Sequence, residues 1–107
     1  MKFKITILGK VQNFDYMIYL LNKADSLKIE NYDTKKDSVC GREALRVFVE
    51  GSDEQIGSFV RFLKNEQPSF VEEIQIEEYD GSIRTIDSYR FVLGLEILNE
   101  LLKKVKS

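Results

Sequence analysis

The sequence predicts an α+β fold: a four-stranded antiparallel sheet carrying two helices on one face, with an extra helix at the C-terminus. Two observations carry this. Apolar residues recur with period two in short segments and with a period near 3.6 in longer ones. These segments follow one another as strand, helix, strand, strand, helix, strand and then a final helix.

Phe3, Ile5 and Ile7 alternate with Lys2, Lys4 and Thr6, as in a strand with one buried face. The apolar phase places the strand Phe3–Leu8 inside the sheet. From Asp15, the expected N-cap, the period changes, and Met17, Leu20, Leu21, Ala24 and Leu27 mark a helix ending between Ser26 and Lys28. Ile29 to about Thr34 reads as a polar edge strand. Lys35 to Arg42, with Asp37, Ser38 and Gly41, reads as a hairpin loop. Leu45, Val47 and Val49 alternate with Arg46, Phe48 and Glu50 in a central strand.

Ser52-Asp53-Glu54-Gln55 is a capping box, and Ile56, Phe59, Val60 and Leu63, bordered by Phe62, form the apolar stripe of the helix it opens. Pro68 follows where that helix should stop. Val71, Ile74 and Ile76 form a fourth strand among glutamates, closed by a turn at Tyr79–Ser82. Up to residue 82 this is the ferredoxin-like βαββαβ order, with Ile5, Ile7, Leu20, Ala24, Val47, Val49, Ile56, Phe59, Leu63 and Ile74 in the core. Residues 83–107 are an extension packed on the same domain. Asp87 or Ser88 caps its helix, which runs to about Lys104. Phe91, Leu95, Leu98, Leu101, Leu102 and Val105 lie on one side; Val92, Leu93 and Ile97 widen the arc beyond an ordinary stripe. Two placements follow with equal weight: a groove on the open face of the sheet, or a shared surface with a second copy of the chain.

At 107 residues the chain is long enough for one domain with one core. Sixteen basic and eighteen acidic residues give a net charge of −2, which argues against a partner bound by phosphate neutralisation; no nucleic-acid partner is expected. An RNA-recognition module has the same element order, but the strand Leu45–Glu50 offers only Phe48 beside Arg46 for base stacking. No stretch reaches membrane-spanning length and the N-terminus leads straight into a strand, so no membrane association and a cytoplasmic location are expected. Histidine is absent and Cys40 is single, which leaves no ordinary general base and no zinc ligand set. Glu72, Glu73, Glu77, Glu78 and Asp80 alternate between faces and read as a solvated edge that resists pairing, so no metal and no cofactor are expected.

The run from Gly9 to Met17 follows a strand and opens a helix, where backbone N–H groups can converge on an anion. Gly9, Lys10, Val11, Gln12, Asn13 and Phe14 are therefore a weak candidate anion-binding loop. A cap at Asp15 would use the same N–H groups. This run resembles the phosphate loop of the acylphosphatase family, G-x-V-Q-G-V-x-F-R, through Gly9, Val11, Gln12 and the aromatic Tyr16. The resemblance extends over about residues 3–79. Ala24 and Leu27-Lys28-Ile29 follow in register, Asn31-Tyr32-Asp33-Thr34-Lys35 falls on G-W-V-x-N, and Val47–Gly51 and Gln67-Pro68 match around the second helix.

In that family an arginine holds the phosphate with the loop amides, and an asparagine orients the attacking water. These positions fall on Met17 and Lys35. Methionine has no donor for phosphate, and an ammonium has no carbonyl to accept a hydrogen from water. The carboxylate of Asp15 repels a dianion. Loss of one oxyanion donor costs about 10²–10³ in rate, and here two groups are replaced. The resemblance thus implies a degenerate site with no catalytic residues, on a small binding or interaction module with phosphate as a weak ligand. The width of the apolar arc on the C-terminal helix adds the expectation that the module associates with itself through that helix. The alternative is a divergent acylphosphatase in which Lys10 or Lys35 holds the phosphate. Lys36 is the third lysine placed to restore charge near the loop.

Overall fold

The computed structural model describes residues 1–106. Its elements are β1 (Lys2–Gly9), α1 (Phe14–Ser26), β2 (Asn31–Val39), β3 (Arg42–Glu50), α2 (Asp53–Asn65), β4 (Val71–Glu78) and α3 (Ile86–Lys106). The strands lie in the order β2-β3-β1-β4 and every neighbouring pair is antiparallel. β1 is central, as its apolar phase requires.

Register assigns the faces. Ile5 lies opposite Val47 and Ile7 opposite Leu45, while Tyr32 lies opposite Val49, so these side chains share one face. The helices cover that face with Met17, Leu20, Leu21 and Ala24 from α1 and Ile56, Phe59 and Leu63 from α2. Ile74 packs at the margin, only partly buried, because β4 is an edge. The opposite face is polar and held by Lys4–Glu77 at 3.4 Å and Arg46–Asp37 at 2.6 Å, with Phe48 against Tyr79.

Four local expectations need correction. β2 continues to Val39, and the hairpin turn is only Cys40-Gly41, with φ of +52° and +77°. Both signs suit the tight primed turns whose twist matches the flanking strands. Lys35–Ser38 looked like loop because this tip is solvated on both sides and so carries no apolar phase. The cap of α1 is Asn13, whose Oδ1 accepts the Tyr16 N–H at 2.8 Å; Asp15 sits one residue inside the helix. α3 begins at Ile86, with Thr85 Oγ1 accepting the Ser88 N–H at 3.2 Å, ahead of the expected cap, and extends to Lys106.

The fourth correction concerns where α3 lies. It packs on the helix-bearing side, over β2 and beside α1, and not in a groove on the open face. The Tyr89 ring meets Tyr32 at 5.0 Å, its hydroxyl shares a 2.7 Å hydrogen bond with Thr34, and Arg90 pairs with Asp25 of α1 at 2.9 Å. Ile86, Tyr89, Leu93 and Ile97 face the core, whereas Phe91, Leu95, Leu98, Leu101, Leu102 and Val105 are exposed. The connection chooses between the two apolar arcs. Residues 83–86 run along β2, with the Tyr32 N–H bonded to Arg84 O, the Ile86 N–H to Glu30 O, and an antiparallel bridge between Asn31 and Thr85. This fixes the rotation at which the helix starts.

Candidate functional site

The β1–α1 loop begins with a forced geometry. Gly9 has φ +135°, and a β-carbon there would lie 2.0 Å from the Phe70 carbonyl oxygen of the strand beside it. The Val11 N–H turns back onto Gly9 O at 2.8 Å, and the Val11 side chain enters the core. Gln12 then clamps the loop to the β2–β3 hairpin: its Nε2 donates to Asp37 O at 2.9 Å and to Ala44 O at 2.8 Å. Asn13 ties the far end, donating from Nδ2 to Lys10 O while its Oδ1 caps α1.

The loop's donors meet an acceptor from the chain itself. The Gln12 N–H donates to Glu43 Oε1 at 2.8 Å, a charge-assisted bond of the kind a bound anion would make. The Tyr16 N–H is taken by Asn13. Sequence reading missed Glu43. Its signal was available, since it shares the inward phase of Leu45, Val47 and Val49, where a carboxylate needs a donor.

Met17 is 3% exposed and belongs to the core. It also forms part of the wall of an open cleft of about 410 Å³ that Lys35, Lys36, Arg84, Tyr89 and Glu96 line as well. The lysines separate. Lys36 holds its ammonium 5.1 Å above the Phe14 ring, at the start of α1. Lys35, one residue away and so on the opposite face, places its ammonium 5.6 Å above Phe48 on the open side of the sheet. Lys10 is exposed. Of the two positions that the sequence resemblance sets against the family's catalytic pair, Met17 thus faces the interior, and the Lys35 ammonium points to the other side of the sheet.

The titratable groups with clear shifts are tyrosines, of which Tyr89 lines this cleft while Tyr16 and Tyr32 lie elsewhere in the core. Burial raises Tyr16 to about 12, with a smaller contribution from Tyr19. Burial likewise raises Tyr89 to about 12, opposed by its bond to Thr34. Tyr32, fully enclosed beside Tyr89, is pushed well above its ordinary value. All three are neutral hydroxyls near neutral pH. The assembled chemistry is therefore a backbone loop already engaged by a carboxylate, a thioether behind it, and one neutral phenol, Tyr89, in the wall of the adjoining cleft. Among the described residues no group of three or more His, Cys, Asp or Glu side chains could hold a metal ion, and no helix is long and apolar enough to cross a membrane. Cys40 is exposed at the hairpin turn, remote in sequence from any activating histidine because the chain has none.

The architecture is a ferredoxin-like α+β sandwich in which a central strand, β1, passes through a glycine-started turn into the first helix. The acylphosphatase family model matches residues 3–91, and the chain belongs to the acylphosphatase family. Three solved structures share the fold over 76% of this chain. Full-length HypF, crystallised in a phosphate- and nucleotide-bound form, is 26% identical with a TM-score of 0.63, and the chain spans 10% of its length. The acylphosphatase from Bacillus subtilis is 22% identical with a TM-score of 0.57 and is covered over 87% of its length. That from Coxiella burnetii is 20% identical with a TM-score of 0.54 and is covered over 82%. No curated protein matches the chain by sequence.

Proposed function

We propose that this chain is a catalytically silent member of the acylphosphatase family, acting as a small interaction module that associates with copies of itself. The observation that carries this reading is the Glu43 carboxylate on the Gln12 N–H, 2.8 Å away, with Met17 behind the loop. A phosphate entering there would meet a negative charge at one of its donors. It would also find a thioether where the resemblance sets the family's guanidinium, while Arg84 of the adjoining cleft is paired with Asp33 at 3.4 Å. Phosphoryl chemistry is carried by positioning and electrostatic stabilisation, so a site with the wrong charge and no water-orienting amide has little left to lower the barrier.

The test is hydrolysis of a simple acyl phosphate by the purified chain against a heat-inactivated control. No turnover above the control is expected; a rate in the usual enzyme range of about 1–10³ s⁻¹ overturns the reading. One observation favours the alternative of a divergent hydrolase: Lys36 is held over Phe14 beside the loop. If activity is found and Lys36→Ala abolishes it, that lysine has taken over charge stabilisation. A weak phosphate ligand fits either reading, and a phosphate titration without turnover separates binding from catalysis.

A further inference from the structure

The outward face of α3 is the largest feature that neither the core nor the loop explains. The helix has 21 residues and is about 31 Å long at 1.5 Å per residue. Its inward side, Ile86, Tyr89, Leu93 and Ile97, is used by the domain. On the other side, Phe91, Leu95, Leu98, Leu102 and Val105 are spaced by four, three, four and three residues. This is the spacing that keeps a seam facing a partner helix. These side chains are 68%, 45%, 50%, 47% and 81% exposed, with Leu101 beside them at 55%. Gly94 lies on the same side, with no atom within 4 Å of where its β-carbon would be. A second backbone can approach closely there.

We infer that this face pairs with the same face of a second copy, the two α3 helices running antiparallel around a two-fold axis near Leu98 and Asn99. The inference rests on the reading of the chain as a self-associating module and names the surface, the partner and the orientation. Two observations favour a second copy. The spacing is itself self-complementary: an antiparallel pair about that axis sets Phe91 of each chain against Val105 of the other, Leu95 against Leu102, and Leu98 against its own copy. The basic residues of α3, Lys103, Lys104 and Lys106, gather in its last turn. Antiparallel pairing keeps these ends apart, whereas a parallel pair would bring them together and align the helix dipoles. The exposed side chains offer roughly 600 Å² per copy, so pairing covers roughly 1,200 Å² in all, at the lower end of specific interfaces.

The experiment is sedimentation equilibrium of the full chain across a wide concentration range, with two variants. The wild type is expected to be a dimer. Leu98→Lys with Leu102→Lys is expected to weaken it at least about a hundredfold while the chain stays folded by far-UV circular dichroism, because both positions are solvated in the single chain. Should that variant misfold, Val105→Lys, at the most exposed position of the seam, provides the independent reading and should weaken the dimer several-fold. A monomer at high concentration overturns the inference, as does a monomer that instead binds anionic phosphatidylserine vesicles. A dimer indifferent to all of these variants removes α3 as its seam while leaving self-association in place. Acyl phosphate turnover, measured on the same samples, tests the silent-site reading separately.

Discussion

Glu43 occupies a phase of β3 that otherwise belongs to the core, in line with Leu45, Val47 and Val49. It is accommodated because Gln12 offers a backbone N–H at 2.8 Å. A carboxylate in this position satisfies the donor and opposes any second anion. Glu43→Gln keeps an acceptor oxygen and removes the charge, so the loop should stay in place while its repulsion of phosphate disappears. The expected outcome is phosphate binding at least about tenfold tighter than in the wild type, read from the Gln12 amide resonance during titration. Stability should change by no more than about 1 kcal/mol. An equal response in both proteins would show that Glu43 does not guard the loop.

At the scale of elements, the turn that opens the site depends on a glycine whose role is steric. A β-carbon at Gly9 would sit 2.0 Å from Phe70 O, a backbone atom that can yield only if β4 moves, and φ +135° is closed to other residues. The β1–β4 register shifts at this same point, between Leu8 and Gly9. Gly41 is the natural comparison: its φ of +77° is also left-handed, but nothing lies within 4 Å of its added carbon. Gly41→Ala should therefore lose about 1–2 kcal/mol from backbone strain alone. Gly9→Ala should lose clearly more, on the order of 3 kcal/mol or above, because the clash adds to the strain. Denaturant unfolding of the two variants checks the order, and equal losses would show that β4 gives way easily.

Across the whole molecule, three tyrosines join the layers: Tyr16 from α1, Tyr32 from β2 and Tyr89 from α3. Tyr32 contacts Tyr89 at 5.0 Å and Phe59 of α2 at 6.2 Å. Burial raises Tyr16 and Tyr89 from 10.0 to about 12, and raises Tyr32 well above its ordinary value. Below about pH 10 these hydroxyls are neutral in both folded and unfolded chains, so their contribution to stability is fully present. Between pH 10 and about 12 the unfolded chain ionises while the folded one holds its protons, and stability falls with each step. Denaturation midpoints should thus decline from about pH 10 upward, with part of the tyrosinate absorbance appearing only as the chain unfolds. Tyr89→Phe removes one of these groups and should make the decline shallower. A full tyrosinate signal from the native protein near pH 10 would show that the cluster is open to water.

The sequence by itself determined the alternation that makes β1 and β3 central, the capping box that starts α2, and the loop whose Gly9, Val11 and Gln12 signal the family. These are local properties, written in neighbouring residues through period and hydrogen-bonding type. Through that resemblance it also raised the expectation that Met17 and Lys35 stand at the positions of the family's arginine and asparagine. Only the tertiary structure decided what the loop's donors meet. Glu43 reaches Gln12 because two distant segments are brought together by the β1–β3 pairing. The same holds for the lysines, since one residue of strand alternation sends Lys36 toward Phe14 and Lys35 to the opposite face. The side of α3 that is buried could not be read from its composition, because two apolar arcs of similar strength compete on one helix. Backbone bonds from residues 84–86 to β2 set the helix's rotation, and with it which arc packs and which faces outward.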